Sequence, residues 1–173
     1  MLNQEVEKAL NAQINAEFWS AYLYLSMSMH FAHEGYAGIA NWYMVQFKEE
    51  QAHATIFMNY VNSRGGKVVL APIAGVDSEW ENPLAAFTAT LAHEQKVTAL
   101  INALYATATT ANDYATQNML QWFIKEQVEE EENARDYIDA LKKIGDNGYG
   151  LYMFDKELAA RTYVTPSPLA GKE

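Results

Sequence analysis

Five residues spread along this chain have side chains that could together bind metal ions: Glu17, Glu50, His53, Glu94 and Glu130. Carboxylate oxygens and an imidazole nitrogen, with no sulfur, suit hard or borderline cations such as iron and manganese. Glu50 and His53 have the spacing E-x-x-H, which points two ligands to the same place one helical turn apart. Such a pair, facing glutamates on other helices, is typical of di-iron and di-manganese sites in helix bundles.

Hydrophobic periodicity explains why these residues are expected to meet. Four long segments have the helical period and no interior proline, and we predict helices near 3–32, 36–64, 83–109 and 113–143. Each has an apolar stripe that polar residues interrupt near its middle. The interruptions are Glu17, Glu50, Glu94, Gln127 and Glu130. Because all lie at about the same depth, we expect them to form one layer inside a four-helix bundle.

Carboxylates buried in such a layer need a counter-charge. An unpaired buried carboxylate is costly, and neighbouring carboxylates repel one another. Lysine and arginine are absent from the stripes, because Lys48, Lys96, Lys125 and Arg135 fall on other faces. A metal cation is therefore the expected partner. For any single glutamate the alternative is a solvated position, on a helix face that the hydrophobic period has assigned wrongly to the core. Four apolar stripes that are interrupted at the same depth favour the metal site.

We assign Glu17 and His53 to one iron, Glu94 and Glu130 to a second, and Glu50 to a bridging position. Two ferrous ions held close together can pass two electrons to dioxygen at once, which avoids the release of superoxide. The predicted reaction is ferroxidation, with zinc as a competitor for the same ligands.

Loop lengths predict the topology. Short connections make the first and second helices, and the third and fourth, antiparallel neighbours. The segment 65–82 can span a helix at ~3.3 Å per extended residue, so the second and third helices should run parallel. We predict an all-α fold with one domain over 1–173, comprising a bundle over about 3–143, a fifth helix near 149–162 and a tail at 163–173.

Composition excludes several classes of function. The chain has no cysteine, which excludes disulfides and thiolate metal sites. Its net charge of -10 argues against nucleic acid as a partner. No apolar run reaches the ~20 residues of a membrane-spanning helix. The start, MLNQEVEKAL, lacks the pattern of a secretory signal, so we expect a cytoplasmic protein.

The motifs together resemble the bacterial non-haem ferritins over essentially the whole chain. They are NAEFWSAYLYLSMS, which contains Glu17 and Tyr24, the E-E-Q-A-H run at 49–53, AHEQ around Glu94, and WFIKEQVEEEEN, which contains Gln127 and Glu130. The resemblance implies that Gln127 lies beside the bridging oxygen and that Glu130 completes the second iron. It also implies that Tyr24 near the centre supplies an electron, for which core packing is the alternative. Trp122 is a weaker candidate for the same role.

The resemblance further implies a third, weaker iron position on the inner surface. Its ligands would be Glu49, Glu126, Glu129 and Glu130. From sequence alone the acidic run 129–132 is more typical of a solvated face; the resemblance reverses this for 126 and 129 and leaves 131 and 132 on the surface. His30, His33 and His93 match no ligand spacing, and we expect structural or surface positions for them.

Haem is not expected. The haem-binding relatives have a methionine directly after the glutamate of the first E-x-x-H, where this chain has Gln51. They also have a second E-x-x-H, where this chain has Gln127 and Glu130. The fifth helix, by resemblance, would line a fourfold axis of a hollow homo-oligomer of 24 subunits, unlike the mini-ferritins, which lack it. The absence of cysteine excludes rubrerythrin-like peroxidases with a cysteine-ligated iron domain.

The function implied is iron storage, with Fe(II) oxidised by dioxygen or hydrogen peroxide and kept as ferric mineral inside the shell. One alternative is a structural bundle whose glutamates are protonated and paired. Another is a di-iron oxygenase for a small substrate, which would need an apolar cavity and normally two histidine ligands.

Overall fold

The computed structural model describes residues 2–171, in which five α-helices and no strands occur. The helices are α1 (Gln4–His33), α2 (Ala37–Ser63), α3 (Pro83–Thr110), α4 (Tyr114–Ile144) and α5 (Gly148–Leu158). The bounds of the four long helices match the prediction to within one residue at each end. Residues 1, 172 and 173, at the two ends of the predicted domain, lie outside the described part.

Asparagine side chains fix where three of the helices begin. Asn3 Oδ1 accepts a hydrogen bond from the backbone N–H of Glu5 at 2.9 Å. Asn82 Oδ1 does the same for Ala85 at 2.8 Å, directly before the proline that opens α3. Asn147 starts α5 in the same way. Each cap satisfies a backbone donor that has no partner inside the helix.

The long crossover runs along α1 and sets the direction of α3. Asn11 Oδ1 accepts from the backbone N–H of Val69 at 2.7 Å, and Ser26 Oγ donates to the carbonyl of Asp77 at 2.8 Å. The contacts advance in the same direction along both segments, so the crossover is parallel to α1. Because α2 is antiparallel to α1, α3 must start at the same end as α2. The predicted bundle with one crossover is confirmed.

Two apolar clusters fill the bundle and leave a polar layer between them. One includes Leu23, Met27, Phe31, Ile39, Tyr43, Phe87 and Ile138. The other includes Val6, Leu10, Ile14, Phe57, Val61, Ile101 and Phe123. Along every long helix the residues pass from one cluster to the other, and the predicted ligands lie at the change. The apolar ends therefore hold the four helices together around a central polar site.

Helix α5 docks against the start of α2. A Cβ atom at Gly38 would lie 1.6 Å from the carbonyl oxygen of Asp155, so only glycine allows this approach. The carboxylate of Asp155 accepts from the backbone N–H of Ile39 at 2.8 Å, which supplies the cap that Tyr36 does not provide. Docking of α5 thus also completes the N-terminus of α2.

The fifth helix ends at Leu158, four residues before the predicted end at 162. The side-chain amide of Asn41 donates to the carbonyls of Leu158 at 3.2 Å and of Arg161 at 2.9 Å, and so holds the chain as it leaves the helix. The next residues include β-branched side chains and lead to Pro166, which disfavours a longer helix. Further on, Leu169 packs against the apolar cluster at the opposite end of the bundle.

No helix within residues 2–171 is long and apolar enough to cross a membrane.

Candidate metal centre

Six polar side chains are buried in the central layer between the two apolar clusters. Their exposed fractions are 1 % for Glu17, 2 % for Glu50, 2 % for His53, 1 % for Glu94, 4 % for Gln127 and 6 % for Glu130. All six were predicted as site residues, and each of the four long helices contributes at least one. Such burial of carboxylates is unusual unless they are paired, protonated or bound to a cation.

Glu17, Glu50 and His53 form the tightest group. His53 Nδ1 lies 3.3 Å from Glu50 Oε2 and 4.0 Å from Glu17 Oε2. One ligand atom of each residue lies within 4.8 Å of the others. Ligands that share an ion at about 2.1 Å are separated by about 3 to 3.5 Å, so these atoms need to move little to hold a metal.

Two atoms of this group have no hydrogen-bond partner among the described residues. They are Glu17 Oε2 and His53 Nε2, and both are buried. The other oxygen of Glu17 is fixed, because Gln13 Nε2 donates to it at 2.8 Å. Buried polar atoms are nearly always paired, so these two unpaired atoms, on residues that offer ligand atoms within 4.8 Å of one another, fit a cation as a missing partner.

The second half of the layer is formed by α3 and α4. Gln127 Nε2 donates to Glu94 Oε2 at 3.1 Å and to the Glu94 carbonyl at 3.2 Å. The hydroxyl of Tyr24 donates to the other carboxylate oxygen of Glu94. Gln46 Nε2 donates to Glu130 Oε2 at 3.0 Å. These neutral donors orient the two carboxylates without neutralising them.

The electrostatics of the metal-free layer favour protons on the carboxyl groups. Burial, followed by repulsion from Glu50, raises the pKa of Glu17 well above its usual range. Burial and the nearby charges of Glu94 and Glu130 do the same to the pKa of Glu50. Burial, with Glu94 second, raises the pKa of Glu130 to about 8. A cation at this position would replace those protons and remove the repulsion.

Comparison with known proteins places the chain in a family. A family model described as a ferritin-like domain matches residues 7–144. The bacterial non-heme ferritin of Bacteroides fragilis is 40% identical over 161 residues, covering 93% of this chain and 100% of that protein. The chain belongs to the ferritin family. Its resemblance to the ferritins, proposed above from motifs, is thereby confirmed.

Solved structures of an archaeal ferritin have the same fold. An open pore ferritin from the hyperthermophilic archaeon Archaeoglobus fulgidus superposes with a TM-score of 0.93 at 44% identity, covering 94% of this chain and 100% of that one. An engineered closed form of the A. fulgidus ferritin gives 0.94 at 44% identity, with coverage of 95% and 100%.

In this member of the ferritin family, three of the four acids implied for the third iron position are less buried than the six residues of the central layer. Glu49 and Glu126 are half-buried and Glu129 is exposed, whereas Glu130 belongs to both sets. Burial raises the pKa of Glu49 and of Glu126. Glu49 Oε2 lies 2.6 Å from Nη2 of Arg161, so one of the four acids implied for the third position is already paired with a cation.

The aromatic candidates lie on opposite sides of the layer. The Tyr24 hydroxyl contacts Glu94, and its ring stacks on Tyr43 at 5.9 Å between centroids. Trp122 meets the His53 ring edge-on at 5.5 Å. Each therefore contacts a predicted ligand directly, and each also packs in the core.

The histidines outside the ligand set take structural or surface positions. His33 is exposed and His30 packs edge-on against Trp80 at 5.4 Å. His93 Nε2 lies 2.8 Å from Ser20 Oγ, and burial lowers its pKa to about 4. Its ring packs against the rings of Trp19 and Tyr24 at 5.2 and 5.9 Å between centroids.

Sequence analysis missed three polar residues near the predicted ligands. Gln13 lies one turn before Glu17 and donates to it, and Gln46 lies one turn before Glu50 and donates to Glu130 on α4. A glutamine at i−4 from a buried glutamate is a recognisable pattern, and it could have been used. Arg161 lies outside the bundle sequence, and no helical period connects it to the site.

Proposed function

We propose that this chain stores iron and oxidises it: Fe(II) binds at the central layer, dioxygen or hydrogen peroxide oxidises it, and ferric mineral is kept inside a hollow shell. The observation that carries the proposal is the buried group Glu17, Glu50 and His53 with its two orphaned ligand atoms. The names of its relatives support iron as the metal. A sulfur-free set of carboxylates with one imidazole suits Fe(II).

Each residue has a defined task in this proposal. Glu17 and His53 bind one Fe(II), Glu94 and Glu130 bind the second, and Glu50 bridges them. Two Fe(II) ions then give two electrons to one dioxygen, which takes up two protons to leave as hydrogen peroxide. Gln127 donates hydrogen bonds to Glu94 and Thr98, and in this proposal its amide lies beside the oxygen that bridges the two iron ions. Fe(II) enters as substrate and Fe(III) leaves as product.

Tyr24 is proposed as an additional electron donor to the oxidant, in turnovers in which the bound Fe(II) alone does not supply both electrons. Its hydroxyl donates to Glu94, so loss of an electron can be coupled to movement of its proton onto that carboxylate. Burial, with Glu94 second, raises the pKa of Tyr24 well above its usual value, which keeps the phenol protonated. The hydrogen bond thus provides the proton acceptor that oxidation of a buried phenol requires.

The oligomer and the location are part of the same proposal. Exposed apolar side chains on the outer helix faces, including Tyr22, Met29, Leu100 and Val128, are consistent with contacts between subunits. We expect a homo-oligomer of 24 subunits in the cytoplasm, without haem, membrane or nucleic acid as partner. Light-scattering mass of the purified protein tests the subunit number.

The decisive experiment is an anaerobic Fe(II) titration followed by exposure to air. The unsubstituted protein should bind Fe(II) without oxygen and then show a fast rise in ferric absorbance. Glu50→Ala and His53→Ala should lose both the binding heat and the fast phase. His33→Ala, which removes an exposed histidine three residues from Tyr36, serves as the matched control and should behave like the unsubstituted protein.

Two results would count against the proposal. The first is a fast oxidation phase that survives in both Glu50→Ala and His53→Ala. The second is the absence of any Fe(II) binding in the folded, unsubstituted protein, which would favour the alternative of a structural bundle with protonated glutamates. The oxygenase alternative has less support, since Glu130 stands where the histidine of a second E-x-x-H would be expected.

A further inference from the structure

Arg161 reaches from the segment after α5 into the acidic inner edge of the metal centre. Its Nη2 donates to Glu49 Oε2 at 2.6 Å and to Gln46 Oε1 at 2.5 Å. Its Nη1 donates to the backbone carbonyl of Trp42 at 3.3 Å, and its guanidinium lies 4.6 Å from the Trp42 ring centroid. Four contacts on one helix face hold this cation, more than a solvated surface arginine makes.

The guanidinium is linked to two of the four acids implied for the third iron position. Glu49 is a direct partner. Glu130 is reached through Gln46, whose amide nitrogen donates to Glu130 Oε2 at 3.0 Å while its oxygen accepts from Arg161. A chain of hydrogen bonds therefore runs from the C-terminal segment into the central layer.

The backbone of the same segment is anchored independently of the guanidinium. Asn41 binds the carbonyls of Leu158 and Arg161, and Gly38 allows α5 to lie directly against α2. Arg161 is thus presented to Glu49 from a docked element. A metal ion and a guanidinium cannot both occupy the same carboxylate edge, because like charges at that distance repel strongly.

We propose that Arg161 determines the occupancy of the third metal position: its guanidinium takes the place of a cation at Glu49, and a third ion binds only when Arg161 withdraws. This inference rests on the proposed function, because it assumes that the two central ions bind first. Binding of the third ion is then weak, because it requires Arg161 to leave Glu49. It is also coupled to the docking of the C-terminal segment that contains Arg161.

The coupling must act in both directions. If Arg161 weakens binding of the third ion, the third ion must weaken the attachment of Arg161 by the same factor. Filling the third position should therefore loosen residues 159–165, while filling the central pair alone should leave them docked.

The test is anaerobic calorimetric titration with Fe(II) of the intact oligomer and of three variants. Arg161→Gln should tighten the third position about tenfold, within the usual range of coupling between two ligands. Glu49→Gln should release Arg161 without gaining a third ion, because it removes a ligand as well. Lys156→Gln, which removes an exposed positive charge from α5 next to Tyr152, is the matched control and should match the unsubstituted protein.

Hydrogen exchange on the unsubstituted protein provides a second measurement that needs no variant. Exchange of the amides of 159–161, which donate to the carbonyls of Asp155, Glu157 and Leu158, should stay slow up to two Fe(II) per subunit and increase beyond that. Unchanged exchange at full loading, or third-ion affinity in Arg161→Gln equal to that in Lys156→Gln, would overturn the inference. Loss of the first two ions from the unsubstituted protein would instead refute the proposed function.

Discussion

Replacing Glu130 with glutamine should remove a defined share of the protons that Fe(II) binding releases. Burial raises the pKa of this carboxyl to about 8 in the metal-free protein. At that pKa it carries about 0.9 proton at pH 7, about 0.5 at pH 8 and about 0.1 at pH 9. Only the carboxylate form binds a metal, so the same fractions leave when Fe(II) arrives.

The assay is an anaerobic titration with a pH electrode and measured base addition, which counts protons per subunit at saturation. The unsubstituted protein should exceed Glu130→Gln by about 0.9 proton at pH 7, and the difference should fall towards about 0.1 at pH 9. Glu132→Gln, an exposed glutamate on the same helix, provides the control and should release as many protons as the unsubstituted protein. A difference that is the same at pH 7 and pH 9 would refute the assignment of a raised pKa to Glu130.

Three further outcomes are expected. Without metal, the free energy of unfolding should fall as pH rises from 4.5 towards 8, because folded Glu130 keeps a proton that the unfolded chain loses. Thermal unfolding in the presence of a chelator measures this. Glu130→Gln should reduce the dependence of the unfolding free energy on pH by about 1.4 kcal/mol per pH unit. Gly38→Ala should displace α5, since its Cβ would lie 1.6 Å from the Asp155 carbonyl oxygen, and proteolysis should then cleave α5 before the bundle. Phe57→Ala should lower the free energy of unfolding by about 3 to 5 kcal/mol, because the ring is fully buried and stacks on Phe123 at 4.1 Å between centroids; denaturant unfolding measures this.

The bundle was predictable because each of its determinants is local. Hydrophobic period, a proline at the start of α3 and glycine-containing turns gave helix bounds that the structure matches to within one residue. The convergence of the buried residues followed from their common depth in their helices. Gln127 and Glu130 needed only the same arithmetic, because both continue the buried stripe of α4 that includes Leu120, Phe123 and Ala134.

What the sequence did not reveal depends on contacts between distant segments. Asn41, more than a hundred residues away, binds the carbonyl of Leu158 at the end of α5 and that of Arg161 just beyond it. The pairing of Arg161 with Glu49 depends on that docking. The β-branched residues and Pro166 after α5 are visible in the sequence, but the contacts of Asn41 and Arg161 have no period or spacing and appear only when α5 is packed on α2.

The division of the ligands between the two helical hairpins has a consequence for folding. Glu17, Glu50 and His53 all belong to the α1–α2 hairpin, whereas Glu94, Gln127 and Glu130 belong to the α3–α4 hairpin. Each hairpin forms from contacts between residues that are close in sequence. Docking of the two hairpins requires the ends of the long crossover to be brought into place, and this step is slower. We therefore expect the α1–α2 half of the predicted site to form before the hairpins meet, and a metal ion bound there to accelerate the late step by attracting the carboxylates of the other half.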